Sequence, residues 1–217
     1  MKTSDTKLYR KLTAVLIAAW FVFALFASGL HWFRNDANRL GLAVAVAAVV
    51  PIAIFGLWFA ASEEFRRFTL ALDPRTLTLA HSWRIVGFTF VVLEARGVLP
   101  AIFALPAGYG DMAIGASATL VAWKLANPAR RNSFVVWQLL GIADLVTAVG
   151  LGTTARLISP ESTSMVAMTV LPLSLVPTFL VPLFLIFHVI CIAQARGWKA
   201  APREAGSGIK AVQSAAF

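Results

Sequence analysis

The sequence predicts an all-α fold: a polytopic transmembrane helical bundle with six spans and both termini in the cytoplasm. Two observations lead to this prediction. Of the 217 residues, 59% are hydrophobic and 13% are charged, and the mean hydropathy is +0.78. In soluble domains about a quarter of the residues are charged. The apolar residues also form long runs, and about 20 such residues in a helix cross the hydrocarbon core of a bilayer.

The predicted spans are of two kinds. They cover 12–33, 40–61, 77–98, 111–126, 134–152 and 171–195. The first, second and last contain no Asp, Glu, Lys or Arg, so they are predicted as plain membrane helices. The other three are short or contain ionisable residues. Because ionisable groups are costly inside a membrane, these three are where a functional site is expected.

The chain is predicted to be a single membrane domain over 1–217. The first apolar stretch is too long for the hydrophobic part of a signal peptide and has no clear cleavage motif, so it is predicted to be an uncleaved span. The segment 63–75 has aromatic residues at helical spacing and is interpreted as a short interfacial helix or a plain loop. Residues 196–217 form a basic tail that is predicted to be disordered at the cytoplasmic surface.

The distribution of basic residues sets the predicted orientation. With the N-terminus inside, fourteen of the nineteen Lys and Arg residues fall in cytoplasmic segments. The opposite side receives only Arg34, Arg39, Arg96 and Arg156, and Arg84 lies within a span. This asymmetry satisfies the positive-inside rule for six spans. The formal charge of +9 is therefore interpreted as a topology signal, and no nucleic-acid partner is expected.

Asp144 is the strongest pointer to a functional site. It lies near the middle of the fifth predicted span, where its short side chain cannot reach the surface. Gly141 shares its face, so a neighbouring helix can approach closely. Asp144 is interpreted as a ligand-binding or proton-relay residue, and the alternative is a buried ion pair or a protonated carboxyl between helices. Arg84 and His81 are its candidate partners.

Arg84 follows His81, Ser82 and Trp83 on the third predicted span. One interpretation is an interfacial anchor in which Arg84 extends toward lipid phosphates. The other is an anion site in which Arg84 binds a carboxylate or phosphate group of a ligand. Glu94 lies at the far end of the same predicted helix face and is a further candidate for ligand binding or proton transfer.

Asp111 follows a segment rich in Pro and Gly, at the start of the fourth predicted span. It is interpreted either as the cap of that helix or as part of a broken, re-entrant helix whose terminus faces a ligand. The two patterns Gly108-Tyr-Gly-Asp111 and Gly141-Ile-Ala-Asp144 are similar. They are too short to indicate a duplication.

His81 and His188 have similar predicted depths in the membrane. Two histidines at one level could hold haem b or a metal ion, and the alternative is a histidine hydrogen-bonded to a neighbouring helix. Three prolines at five-residue intervals, Pro172, Pro177 and Pro182, predict kinks in the last span. No P-loop, H-E-x-x-H, G-x-S-x-G or C-x-x-C-H motif is present. An enzyme with Asp144 or Glu94 as acid–base group would have no recognisable nucleophile, so enzymatic activity is not expected.

The stretch from His81 to Asp111, with HSWR and GVLPAIFALPAGYGD, resembles part of small multi-span proteins of the bacterial inner membrane whose function is uncharacterised. The resemblance implies a location and no chemistry. The leading hypothesis is that the chain binds or transports a small solute, with Asp144 and Arg84 central. The expected partners are the lipid bilayer, that solute, and a second copy or a larger membrane complex. The alternative is a haem- or metal-binding redox or assembly subunit.

Overall fold

The structure is a computed structural model that describes residues 3–34, 41–158 and 163–198. All regular structure within these residues is helical, which confirms the predicted all-α class. The α-helices are α1 Thr3–Gly29, α2 Leu42–Ala61, α3 Glu63–Leu70, α4 Pro74–Ala80, α5 Phe88–Ala95, α6 Ala101–Lys124, α7 Arg131–Ile158 and α8 Val181–Arg196. Most of the predicted basic tail, from residue 199 onward, lies outside the described residues.

Shorter helical turns connect several of these helices. A 3₁₀ segment, His81–Gly87, joins α4 and α5 into one rod, Pro74–Ala95. A π-helix, Val176–Leu180, leads directly into α8. This irregular stretch contains Pro177, in keeping with the predicted distortion, because proline has no N–H to donate within a helix.

Five of the described helical segments are long and apolar enough to cross a membrane. They are Lys7–Gly29, Leu42–Ala61, Pro74–Ala95, Pro128–Ile158 and Val176–Arg196. These helices are compatible with a membrane protein in contact with a lipid bilayer. The 24-residue helix α6 is long enough but less apolar, because it contains an aspartate, a proline and several glycines.

The fourth predicted span had the wrong boundary. A continuous helix begins at Ala101, ten residues before Asp111. Asp111 therefore neither caps a helix nor ends a broken one, and both interpretations of it were wrong. Pro106 lies close enough to the start of α6 that its missing N–H weakens only an early turn. The glycines of this stretch provide close helix contacts rather than a break in the chain: a Cβ at Gly108 would overlap Val91.

The predicted short helix in the segment 63–75 is present as α3. Ser62 caps it by accepting a hydrogen bond from the N–H of Phe65, at 3.2 Å. The buried Phe65 ring stacks on Trp58 with a centroid distance of 3.9 Å. Asp73 caps the next helix, α4, where it accepts hydrogen bonds from the side chain and N–H of Thr76 at 2.7 and 3.1 Å.

Most of the described helices form an inner bundle, and α1 and α2 form an outer pair. The rod Pro74–Ala95, α6, α7 and α8 pack together and form the inner bundle, whereas α2 has no buried residues. Two apolar clusters fill the inner bundle, one around Phe134 and Trp137 and the other around Phe103 and Leu99. Along the rod, α6 and α7, Arg84, Asp111 and Asp144 fall between the positions that form these two clusters.

Side-chain contacts also join the helices at both ends of the bundle. At one end the contacts are Tyr9 on Phe68, Gln194 to the carbonyl of Leu72, Arg75 over Trp123, and Phe134 on Trp198. At the other end they include Ser174 to Ser28 and Phe90 on Phe103. The first set joins the N-terminal parts of α4 and α7 to the C-terminal ends of α6 and α8, and it joins the start of α1 to α3.

Candidate functional site

Arg84 connects two carboxylates inside the bundle. Its Nε donates to Oδ1 of Asp111 at 2.6 Å, and its Nη2 donates to Oδ2 of Asp144. Asp111 is on α6 and Asp144 is on α7, so Arg84 joins three helical segments. The Arg84 side chain is 1% exposed. We call Arg84, Asp111 and Asp144 the ion cluster.

The position of Arg84 bears on the two interpretations of the His81–Arg84 stretch, an interfacial anchor and an anion site. Trp83 is exposed, as an interfacial anchor would be. Arg84 instead points into the bundle, where it cannot extend to the surface. The pairing of Asp144 with Arg84 is one of the candidate pairings from the sequence. The pairing of Arg84 with Asp111 was not predicted, because Asp111 was placed at a helix start.

The Nη1 group of Arg84 contacts α7 and α8. Nη1 lies 3.4 Å from the carbonyl oxygen of Gly141 and 3.4 Å from Nε2 of His188. Nδ1 of His188 lies 2.5 Å from Oε1 of Gln138. An amide oxygen only accepts hydrogen bonds, so Nδ1 carries the hydrogen and Nε2 accepts from Arg84. This tautomer is assigned from the hydrogen-bond network, and it makes His188 neutral.

A chain of hydrogen bonds continues from His188 to one end of the rod. Nε2 of Gln138 donates to the hydroxyl of Thr78 at 3.4 Å, and that hydroxyl donates to the carbonyl of Pro74 at 2.7 Å. Both Gln138 and Thr78 are fully buried. Sequence reasoning missed these two residues. The signal that could have identified this hydrogen-bond chain was Gln138, a polar residue within an apolar run and one turn before Gly141.

Glycines make room for the ion cluster. A Cβ at Gly87 would overlap the side chain of Asp111, and one at Gly110 would overlap that of Asp144. A Cβ at Gly141 would overlap the ring of His188. Small residues let membrane helices approach closely. Here they also leave the space that the polar side chains occupy.

The ion cluster carries one excess negative charge when its three members are ionised. Arg84 contributes one positive charge and the two aspartates contribute two negative charges, while His188 is neutral in the assigned tautomer. The side chains of Asp111 and Asp144 are 17% and 16% exposed. Both carboxylates therefore remain accessible, whereas the cation between them is shielded.

A cavity of about 580 Å³ lies next to the ion cluster. Residues of the 3₁₀ segment and α5 form one side of it, and residues from Pro172 to Phe184 form the other. Arg84 and Asp111 are part of its wall, and most of the remaining wall is apolar or aromatic. The irregular stretch that contains the π-helix lines this cavity, and π-helices are frequent at functional sites.

His81 is fully buried and its ring nitrogens have no hydrogen-bond partner among the described residues. Its ring stacks on His188 with a centroid distance of 3.9 Å and an interplanar angle of 22°. A metal held by both imidazoles would need a nitrogen of each ring to point at it, whereas here the ring faces meet. The predicted haem or metal site at His81 and His188 does not fit this geometry. Among the described residues, no group of three or more His, Cys, Asp or Glu could hold a metal ion.

Glu94 does not join the ion cluster. It lies near the end of α5, about 16 Å along the rod from Arg84 at the usual rise per residue. The shared face expected for these residues assumed an α-helix throughout. The 3₁₀ segment has three residues per turn instead of 3.6, so the faces of the rod change direction between the two residues.

The fold and site thus define an all-helical bundle with a buried ion cluster beside an apolar cavity. The chain belongs to the family described as a domain of unknown function (DUF8737), whose model matches residues 39–196. The match includes α2 through α8 and every member of the ion cluster. This membership agrees with the resemblance to proteins of uncharacterised function. No curated protein and no solved structure matches the chain.

Proposed function

We propose that this chain is an integral protein of the inner (plasma) membrane that crosses it six times, with both termini in the cytoplasm. The sixth crossing would be α6. This helix packs one face against the rod and α7, where it buries residues such as Phe103, Ala118 and Val121, and it exposes Ile102 and Leu120 on the other side. A helix with one face against protein can carry glycines and an aspartate on that face, because those residues do not need to face lipid.

The contacts at the ends of the bundle support an even number of crossings. The start of α1 and the end of α8 belong to the same set of end contacts, through Tyr9 and Trp198. Arg75, Lys124, Arg130 and Arg131 lie at helix ends of that set. The positive-inside rule assigns such a basic end to the cytoplasm.

We further propose that the ion cluster is the place where the protein binds or transports a small solute. The observation that carries this proposal is a guanidinium held by two partly exposed carboxylates beside a cavity. A purely structural role would not need these charges, because buried ion pairs can often be replaced by well-packed apolar residues without loss of stability. A binding role would need both the carboxylates and the space beside them.

The test is to reconstitute the purified protein into liposomes and to measure currents on a solid-supported membrane as solutes are applied. A panel of small cations, anions and neutral solutes is compared on the wild type, Asp144→Asn and the control Glu64→Gln, which changes an exposed carboxylate on α3. We expect one solute class to give currents with the wild type and the control. Asp144→Asn should insert normally and lose them.

Two results would contradict the proposal. If Asp144→Asn gives the same currents as the wild type, the ion cluster is structural. A Soret band in the visible spectrum of the purified protein that disappears in His188→Ala would instead identify a haem-binding subunit.

A further inference from the structure

Resting on the proposed binding role of the ion cluster, we propose that the solute is an organic monocation. It would have an ammonium group that pairs with Asp111 and an apolar body that fills the adjacent cavity. The charge of the cluster, the exposure of its members and the cavity wall support this class of ligand independently.

The charge of the ion cluster favours a cation. One excess negative charge inside a low-dielectric bundle is costly, and either a proton or a bound monocation neutralises it. An anion would raise the excess to two negative charges. It would also find little free donor capacity, because four of the five N–H groups of Arg84 already point at protein oxygens or the His188 ring.

The accessible group in the cavity wall is the carboxylate and not the guanidinium. Asp111 is 17% exposed against 1% for Arg84. Oδ1 of Asp111 accepts the bond from Arg84, and Oδ2 accepts no hydrogen bond from the residues that the structure describes. This second oxygen is the group that an ammonium N–H would bond, in a charge-assisted hydrogen bond.

The rest of the cavity wall favours an organic cation over a metal ion. Metal cations such as Ca²⁺ and Mg²⁺ require about six oxygen ligands. The wall instead contains aromatic rings, namely Trp83, Phe88, Phe90 and Phe184. Aromatic faces attract an ammonium group, and an apolar body gains free energy when it leaves water for such a wall.

Matched ligands test this inference through binding rather than transport. Calorimetric titrations in detergent compare an amine, an alcohol and a carboxylate on each of three bodies: butyl, cyclohexylmethyl and 2-phenylethyl. We expect at least one ammonium ligand to bind about tenfold more tightly than its alcohol, which is roughly 1.4 kcal/mol. The carboxylate with the same body should bind most weakly.

Two variants connect that preference to the site. Asp111→Asn should remove the difference between the amine and the alcohol, and Glu64→Gln should keep it. Because Asp111→Asn also removes a partner of Arg84, Val92→Trp gives a second test that leaves the charges intact. Val92 lies in the cavity wall and is half exposed, so tryptophan there should weaken binding of every ligand. Val136→Trp, on the exposed side of α7 away from the cavity, is its control.

The possible failures are distinguishable. Tightest binding of a carboxylate would overturn the cation assignment and leave the proposed binding function standing. Equal binding of amine and alcohol on all three bodies would also overturn it. Absence of binding together with absence of currents for every solute in the panel would overturn both the cation assignment and the proposed function.

Discussion

The inner bundle and the outer helices α1 and α2 differ in what their residues contact. The second helix is apolar over its whole length and has no buried residues. Of the described residues of α1, only a few small ones such as Ala24, Ala27 and Ser28 are buried. The inner bundle, in contrast, buries Arg84 and Gln138. The most apolar helix is therefore one without buried residues.

The difference shows that hydrophobicity alone does not separate the inner bundle of this protein from its outer helices. Between helices in lipid there is little hydrophobic driving force, because lipid tails are as apolar as leucine. Small residues and polar contacts distinguish the packed faces. The glycines follow the same division: a Cβ at Gly141 would overlap His188, whereas one at Gly56 on α2 would have no neighbour within 4 Å.

The largest effect is expected from removing the cation of the ion cluster. Arg84→Met leaves two neighbouring carboxylates without their counter-charge and should lower the free energy of unfolding by about 3–5 kcal/mol. Arg10→Met, on the exposed surface of α1, should change it by less than about 0.5 kcal/mol. Denaturant unfolding in detergent micelles measures both.

The variant Arg84→Met/Asp111→Leu/Asp144→Leu sharpens this prediction. It removes the unpaired charges together with the cation and should recover most of the lost stability. If it is no more stable than Arg84→Met alone, the loss comes from packing and not from charge.

The glycine comparison should give effects of opposite sign. Gly141→Ala places a Cβ against the His188 ring and should destabilise the protein by about 1–3 kcal/mol. Gly56→Ala adds a Cβ in open space and should stabilise α2 by about 0.5–1 kcal/mol, since alanine loses less conformational entropy than glycine in a helix. Melting temperatures of the two variants in the same detergent test the sign. Equal destabilisation by both would contradict the division into inner and outer helices.

A smaller loss is expected at the hydrogen-bond chain. Gln138→Leu removes the acceptor for the Nδ1–H of His188 and leaves a buried donor unpaired, which should cost about 1–2 kcal/mol. The matched change on the exposed side of the same helix is Thr153→Val, which removes a hydroxyl bonded only to the carbonyl of Val149 in its own helix. That change should have little effect on the unfolding midpoint. If Gln138→Leu leaves the unfolding midpoint unchanged, the hydrogen-bond chain adds nothing to stability.

The smallest effect is expected at the cap of α4, outside the bundle interior. The hydrogen bond from the Thr76 side chain, with the N–H groups of Arg75 and Thr76 and the charge of Arg75, lowers the pKa of Asp73 below its ordinary value. Asp73→Ala should cost about 1 kcal/mol at pH 7. A lowered folded-state pKa stabilises the protein above the unfolded value of about 3.9 and loses that effect as the pH falls below it. The difference in the free energy of unfolding between the wild type and Asp73→Ala should therefore shrink as the pH falls from 5 to 3. Unfolding curves across this range would show it.

The helices were predictable from the sequence because hydropathy and turn residues act locally. Helix α2 begins within two residues of its predicted start, and Ser62 caps α3 beside the aromatic residues that indicated it. The error at Asp111 has a local cause as well. Pro106 and the nearby glycines usually break helices, and only the packing of α6 against the rod reveals that this stretch continues as a helix.

The sequence by itself determined the all-helical class, the approximate position of the apolar helices, and the expectation that Arg84 and Asp144 lie among them, because each depends on residue composition along one segment. The tertiary structure decided that Asp111 completes the ion cluster, that His81 stacks on His188, and that Glu94 lies apart from them. These contacts depend on which helix faces meet. In a chain whose helices are apolar on nearly all sides, periodicity carries little information about that choice.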